Sequence, residues 1–314
     1  NIAMGQSALR LLSTGNYNIA IGANTLAADG TFSSNTAIGQ AVLNANTASN
    51  NTGVGFNALL DNTTGTQNVA IGAYTASNIT TGSYNTVVGY SALGAATTAS
   101  NLTAFGFRAL GNNTSGAAND AFGYNSLRLN TTGNYNVAMG NSALYSNTTG
   151  QKSVAVGYYA LLNATTGGNN TALGHQALDA CTDGHDNTAV GRDSLGDVTT
   201  GEKNTACGTA GASISTGQNN LCLGYNAGSS ASPSGVITTG NNTICLGDNG
   251  ISNLFCADTS ISSSDSRDKT DVTSFNIGLD WIKALRPVTY RWDRRTWYGT
   301  DAEPYGTPDG SKKR

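Results

Sequence analysis

Apolar and polar positions recur with one period from Asn1 to about Gly250. The recurring segment is Asn-x-Ala-aliphatic-Gly, seen at Asn18-Ile19-Ala20-Ile21-Gly22, Asn68-Val69-Ala70-Ile71-Gly72, Asn136-Val137-Ala138-Met139-Gly140 and Asn187-Thr188-Ala189-Val190-Gly191. Its closing glycines, from Gly5, Gly22 and Gly39 on to Gly224 and Gly247, are 17 residues apart at nearly every step; two steps are 16, and a last step of 23 absorbs an insertion around Ser229 to Gly235. A unit that short cannot bury its own apolar side, so the copies must stack as rungs of a solenoid, each covering the next. At the ~4.8 Å spacing of neighbouring strands, fifteen rungs predict a rod of roughly 70 Å.

The pattern allows two strands per rung at most. The first is the Asn-x-Ala-aliphatic segment, β-branched in many copies. The second and weaker falls on the Ala-Leu pair after the glycine, as in Ala8-Leu9, Ala58-Leu59, Ala143-Leu144 and Ala177-Leu178. Thr-Thr-Gly segments ending at Gly65, Gly82, Gly133, Gly150, Gly167 and Gly201 supply the turn between rungs. Stacking turns each repeat position into a column. The position before the closing glycine is large and apolar, as in Met4, Ile21, Ile71, Phe105, Phe122 and Leu173, and reads as a continuous core column. The position before that is nearly always Ala. Because successive strand residues face opposite ways, both sides of the strand read as buried, and a second chain is the natural cover for the Ala side. The leading Asn column, including Asn35, Asn51, Asn85, Asn119, Asn170 and Asn204, predicts an amide ladder that satisfies side chains costly to bury unpaired.

Composition supports a thin body. Forty glycines in 314 residues, with many Asn and Thr, leave too little aliphatic material for one thick core. A net charge of -3 and no basic run argue against a nucleic-acid groove. No apolar run approaches the ~20 residues needed to cross a bilayer, and no signal peptide is visible; no membrane insertion is expected. The five cysteines have no metal or redox spacing, and Cys222 and Cys245 take the Ala position of the repeat. They read as small buried hydrophobes, with a disulfide between stacked rungs left open. Neither a cofactor nor a metal is expected.

Charge then divides the chain. Arg10, Arg108, Arg128, Lys152, Arg192 and Lys203 are the only cations before position 251, while the last 64 residues hold the other ten of sixteen and all three tryptophans. The predicted organisation is a repeat shaft over 1–250, a linker strand over 251–263 and a separate domain over 264–314. At its start, Ser264-Asp265-Ser266-Arg267-Asp268-Lys269 puts a serine five residues before a lysine, a weak nucleophile near an amine that becomes a base if desolvated; spacing alone favours a solvated polar loop. Leu279, Ile282 and Leu285 follow at helical spacing with Pro287 closing the helix, and Val288-Thr289-Tyr290-Arg291-Trp292 alternates like a strand.

Two resemblances attach to these motifs. The repeat, over Asn1 to about Gly250, resembles the head repeats of trimeric autotransporter adhesins and the related β-roll segments of bacteriophage fibres, although those adhesin repeats are usually shorter. It implies an all-β parallel β-solenoid or β-roll forming a homotrimer. The ensemble from Ser264 to Trp292 looks like the intramolecular chaperone domain at the C-terminus of phage tail spikes and fibres, the S74 peptidase family. That resemblance implies a small α+β domain, present here as its N-terminal part, that brings three chains together in register and then cuts itself off. Ser264 matches the catalytic serine, Lys269 its partner lysine, and Asp265 and Arg267 the other fixed positions. The enzyme implied is at most a single-turnover Ser-Lys endopeptidase. The partners implied are two further copies of the chain, other tail proteins, and a host surface glycan or protein receptor, with the chain located on a virion.

Other readings compete. A bacterial surface adhesin would share the repeat. A capsule depolymerase would need paired carboxylates, and acids do gather on adjacent rungs as Asp183, Asp186, Asp193 and Asp197 with His175 and His185 nearby; a solvated charged face accounts for them equally, and calcium binding is a further option. Aromatics after the closing glycine, among them Phe56, Tyr90, Phe107, Tyr124, Tyr158 and Tyr225, either pack between rungs or stack on sugars. Asn-x-Thr sequons such as Asn62-Thr63-Thr64 arise from turn composition without any need for glycosylation.

Overall fold

The Asn and Gly that bracket each apolar triplet limit it to a short strand. In the computed structural model, which describes residues 1–253, every strand of the main sheet has three residues, from Ile2–Met4, Ile19–Ile21 and Thr36–Ile38 to Leu221–Leu223 and Ile244–Leu246. The strands form one parallel fifteen-stranded sheet in which each pairs with the next copy of itself. Register follows the repeat without slip: Ala138 opposes Ala121 and Ala155, and across the insertion Cys222 still opposes Cys245. A second sheet of two strands, Leu12–Thr14 and Gly30–Thr31, decorates the first rungs. The all-β parallel solenoid expected from the periodicity is therefore the fold.

Between strands the backbone turns sharply, yet it keeps hydrogen-bonding to the adjacent rungs. In the rung after Met139, Ser142 donates to Tyr124 at 2.9 Å, Leu144 to Ala160 at 3.0 Å, Thr148 to Thr165 at 2.9 Å and Lys152 to Asn134 at 3.0 Å. Donors thus alternate between the rung below and the rung above, so the ladder runs around the whole rung. This accounts for a second finding: Ser142, Leu144 and Lys152 have φ of 54°, 50° and 57°, left-handed conformations that cost an L-residue roughly 1–2 kcal/mol each. The turns need three such residues per rung, and the rung-to-rung bonds offset the strain.

The Ala-Leu pair is therefore not a second strand. It forms a turn in which Ala143 and Leu144 both point inward and are fully buried, Leu144 reaching the interior because its left-handed backbone reverses the chain there. The strand's two faces are also the reverse of expectation. The Ala column, including Ala20, Ala70, Ala138 and Ala189, is fully buried inside the chain's own rung, packed with the buried leucines Leu26, Leu127, Leu144 and Leu195 in one cluster. Space is narrow enough that a methyl group fills it. The large apolar column points outward instead: Met4, Ile71, Phe105, Phe122 and Leu173 are all among the exposed large hydrophobics. The close partner of the alanines is thus the opposite wall of the same rung, and the side left uncovered is the aliphatic one.

The asparagine ladder forms as the pattern predicts. Along the leading column, Oδ1 accepts from the backbone N–H at the same position of the next rung, as Asn187 does from Asn204 at 3.0 Å, and Nδ2 donates to a turn carbonyl, here Gly201 at 2.8 Å. A second buried amide column was not foreseen. Asn46, Asn62, Asn113, Asn130 and Asn147, the residues leading the Thr-Thr-Gly turns, are fully buried. Their Nδ2 groups bond the carbonyl three residues on, as Asn147 does to Gly150 at 3.1 Å, and the neighbouring amide, as Asn147 does to Asn130 at 2.7 Å. The asparagines of the sequons at Asn62, Asn113, Asn130 and Asn147 are therefore structural.

Candidate functional site

Ser264, Asp265, Arg267 and Lys269 lie outside the described residues, as do the helix expected around Leu279 to Leu285 and the strand expected over Val288 to Trp292.

The outward side of the sheet is a band two columns wide. It is lined by the residue before the closing glycine and the residue two before that, which is aliphatic in some rungs, as in Ile19, Val69, Val137 and Val154, Thr in others and Asp120 in one. No main-chain donor is missing there, because the parallel ladder satisfies it. What the band exposes is side-chain hydrocarbon. Beside it runs a row of aromatic rings on successive rungs. Phe56 meets Tyr74 edge-on at 5.1 Å and Tyr74 meets Tyr90 edge-on at 5.8 Å; Tyr90, Phe107 and Tyr124 then stack nearly parallel at 5.7 and 5.2 Å. Packing between rungs is thus confirmed for these rings, yet Tyr90, Phe107 and Tyr124 remain exposed. Arg108 and Arg128 lie over Phe107 and Tyr145, 5.0 and 5.8 Å from the ring centres.

The acid-rich rungs resolve into separate local arrangements. Asp183 accepts from the Thr166 and Thr165 hydroxyls at 2.7 and 2.9 Å, and these bonds hold its carboxyl below the usual carboxylate range. His185 sits between two acids, with Nδ1 2.8 Å from Asp186 and Nε2 2.8 Å from Glu202. His175 and Arg192 lie 3.9 and 3.4 Å from Asp193. Burial pushes Asp179 up, opposed by its contact with Gln176. These are rung-to-rung surface pairings, and among the described residues no group of acids, histidines and cysteines could hold a metal ion. Among the same residues no helix is long and apolar enough to cross a membrane.

The cysteines behave as inward-facing small residues. Cys181, Cys222 and Cys245 are buried free thiols and Cys207 is an exposed one. Burial pushes Cys181 up to about 12 and Cys222 to about 11. Around Cys245 the insertion folds back, so that the Ser232 hydroxyl lies 2.6 Å from its sulfur and the Gly228 N–H 3.1 Å away.

Residues 264–310 match the family model described as chaperone of endosialidase, the S74 peptidase family. No curated protein and no solved structure matches the chain. A chaperone-of-endosialidase segment following a β-solenoid fits a phage tail fibre or tail spike with a C-terminal chaperone.

Proposed function

We propose that the chain is the shaft of a homotrimeric tail fibre or spike that attaches a virion to its host, in which three copies pack through the outward sides of their fifteen-stranded sheets. The observation that carries the reading is the exposed apolar band. An Ile, Val, Leu, Met or Phe before the closing glycine on every rung but that of Cys207 would be an aggregation hazard on a monomer, and continuous exposed bands of this kind mark interaction surfaces. Because each column repeats without slip, three copies could meet along the band at any offset of a whole number of rungs. An error of one rung would still bury hydrocarbon against hydrocarbon. Register must therefore come from elsewhere, and a chaperone segment at the end of the chain supplies a reason for its own presence.

The same reading assigns the Ser264 segment. The Ser264 hydroxyl attacks a neighbouring backbone carbonyl, with the neutral amine of Lys269 taking its proton. The C–N bond breaks, the leaving nitrogen takes the proton back, and water hydrolyses the ester. Asp265 and Arg267 orient the loop. The matched span beginning at residue 264 supports this assignment. Mass determination beside denaturing electrophoresis of the wild type, Ser264→Ala and Lys269→Ala tests it: a cut wild type with two uncut variants is expected, and three chains of the same full mass would refute cleavage. Native mass spectrometry tests the trimer independently, and a monomeric shaft would refute the band as an interface.

A further inference from the structure

The row of rings beside the sheet has one gap. The residue after the closing glycine is Phe107, then Tyr124, then Asn141, then Tyr158 on four successive rungs. Tyr124 stacks on Phe107, and Tyr158, whose ring lies 3.9 Å from that of Tyr159, stacks on His175 at 5.3 Å on the far side, so the short Asn141 leaves a recess between two aromatic posts, Tyr124 and the Tyr158–Tyr159 pair. The posts are two rungs apart, about 10 Å at strand spacing. The recess is a groove of about 400 Å³ lined by Tyr124, Asn125, Asn141, Ser142, Tyr145 and Tyr159, with Leu162 at its edge.

Its polar groups are arranged and partly idle. Arg128 donates from Nη1 to the Tyr145 hydroxyl at 3.1 Å and holds that ring against the wall. Ser142 donates to the Asn141 amide oxygen at 2.9 Å. Asn125 is only 8 % exposed, and its Oδ1 has no hydrogen-bond partner. A buried amide oxygen without a partner is costly, and the chain's other buried asparagines mostly avoid that cost through the two ladders. A half-turn about χ2 exchanges Oδ1 with Nδ2, so the amide can present either a donor or an acceptor to the groove.

We propose that this groove binds a saccharide chain. Aromatic posts with a gap of one ring between them, interleaved with amides and hydroxyls that both donate and accept, suit the apolar face and hydroxyl edges of a pyranose in a linked chain. A peptide would find no free strand edge here. No carboxylate lines the groove and Arg128 stands at its wall, so acidic sugars are accepted as well as neutral ones. The proposal deepens the attachment reading by naming the class of receptor, and the groove itself is built within one chain.

Saturation-transfer NMR on the full chain, with cellohexaose as the neutral probe and hexagalacturonate as the acidic one, tests it. Transfer to at least one probe is expected. Tyr124→Ala, Tyr159→Ala and Asn125→Gly, the last tolerated by the left-handed backbone there (φ 56°), should each weaken binding by about tenfold, which corresponds to ~1.4 kcal/mol. Tyr17→Ala, at an exposed ring far along the chain, should leave it unchanged. Thermal unfolding of each variant shows that the shaft is intact. No transfer from either probe overturns the proposal, as does equal binding by wild type and the three groove variants. Native mass spectrometry on the same samples separates the two readings: a trimer that binds neither probe refutes the groove alone, and a monomer that binds refutes only the trimer.

Discussion

At the scale of single residues, polar side chains hold this fold together as much as apolar ones do. Asn187 is fully buried and touches three rungs: it takes Asn170 Oδ1 on its own N–H, bonds Gly201 through Nδ2 and serves the Asn204 N–H through Oδ1. Asn187→Leu preserves volume but strands the Gly201 carbonyl and the Asn204 amide, at about 1–3 kcal/mol for each orphaned group. A lower denaturation midpoint in urea should report it. Asp183 gives a pH prediction. Its folded pKa lies below the ordinary value because of the Thr166 and Thr165 hydroxyls, so its contribution is present above the usual carboxylate pKa of about 4 and is lost as pH falls through the lower folded value. The melting temperature of wild type should therefore fall more than that of Asp183→Asn as pH drops below about 4, and the two should run parallel above it. The thiols give a third. Iodoacetamide mapping by mass spectrometry of the native chain should leave Cys181 and Cys222 unmodified until denaturant is added, because burial both blocks them and keeps them protonated.

At the scale of the rung, the closing glycines are what let one copy sit directly on the next. Gly140 has φ of 139°, and a Cβ built there would stand 2.3 Å from the Gly157 carbonyl oxygen, inside any permissible contact. Gly140→Ala must both strain the backbone and push two rungs apart. It should cost at least the ~1–3 kcal/mol of a disallowed conformation, read as a lowered thermal midpoint. The rung also shows where sequence reasoning succeeds and stops. Period, parallel register and the leading amide ladder were legible because each is a statement about identity: residue i meets its own copy, and stacking like on like requires no knowledge of direction. Which side of the strand faces inward was not legible, since Ala138 and Met139 are both apolar and alternation alone does not say which lies inside. The missing signal was the width of the rung. With three left-handed turn residues per copy the backbone closes so tightly that the middle strand position, mostly Ala, meets the buried Leu of the turn, and the two flanking strand side chains point out. Those turns were hidden because Ser, Leu and Lys do not advertise positive φ as glycine does. The groove at Asn141 was likewise invisible as a site, because it is defined by an aromatic that is missing from a row.

At the scale of the molecule, the inside-out strand moves the proposed trimer interface from the alanines to the exposed band. Placing one charge on it tests that move. Phe105→Asp and Phe122→Asp, at rings that stack on each other at 5.5 Å on the outer side, should leave the rung fold intact by circular dichroism while shifting native mass from trimer toward monomer. An Ala138→Ser change inside the rung should do the opposite, lowering thermal stability without changing the oligomeric state. The Ser264 assignment stands on the family match and the motif, and what the shaft contributes is the need it creates: a long interface of near-identical rungs has many wrong alignments.

The continuous rung-to-rung ladder also decides how such a shaft would respond to force. Its hydrogen bonds run along the stacking direction, so a pull on the two ends loads them in tension, one rung interface after another in series, and never in shear together. The weakest interface yields first. Each rung that then peels away frees 17 residues, roughly 50 Å of added contour at about 3.4 Å per extended residue less one strand spacing. A tether built this way gives ground in steps and dissipates work at each one, and packing against two further copies would be what sets how hard the first step is.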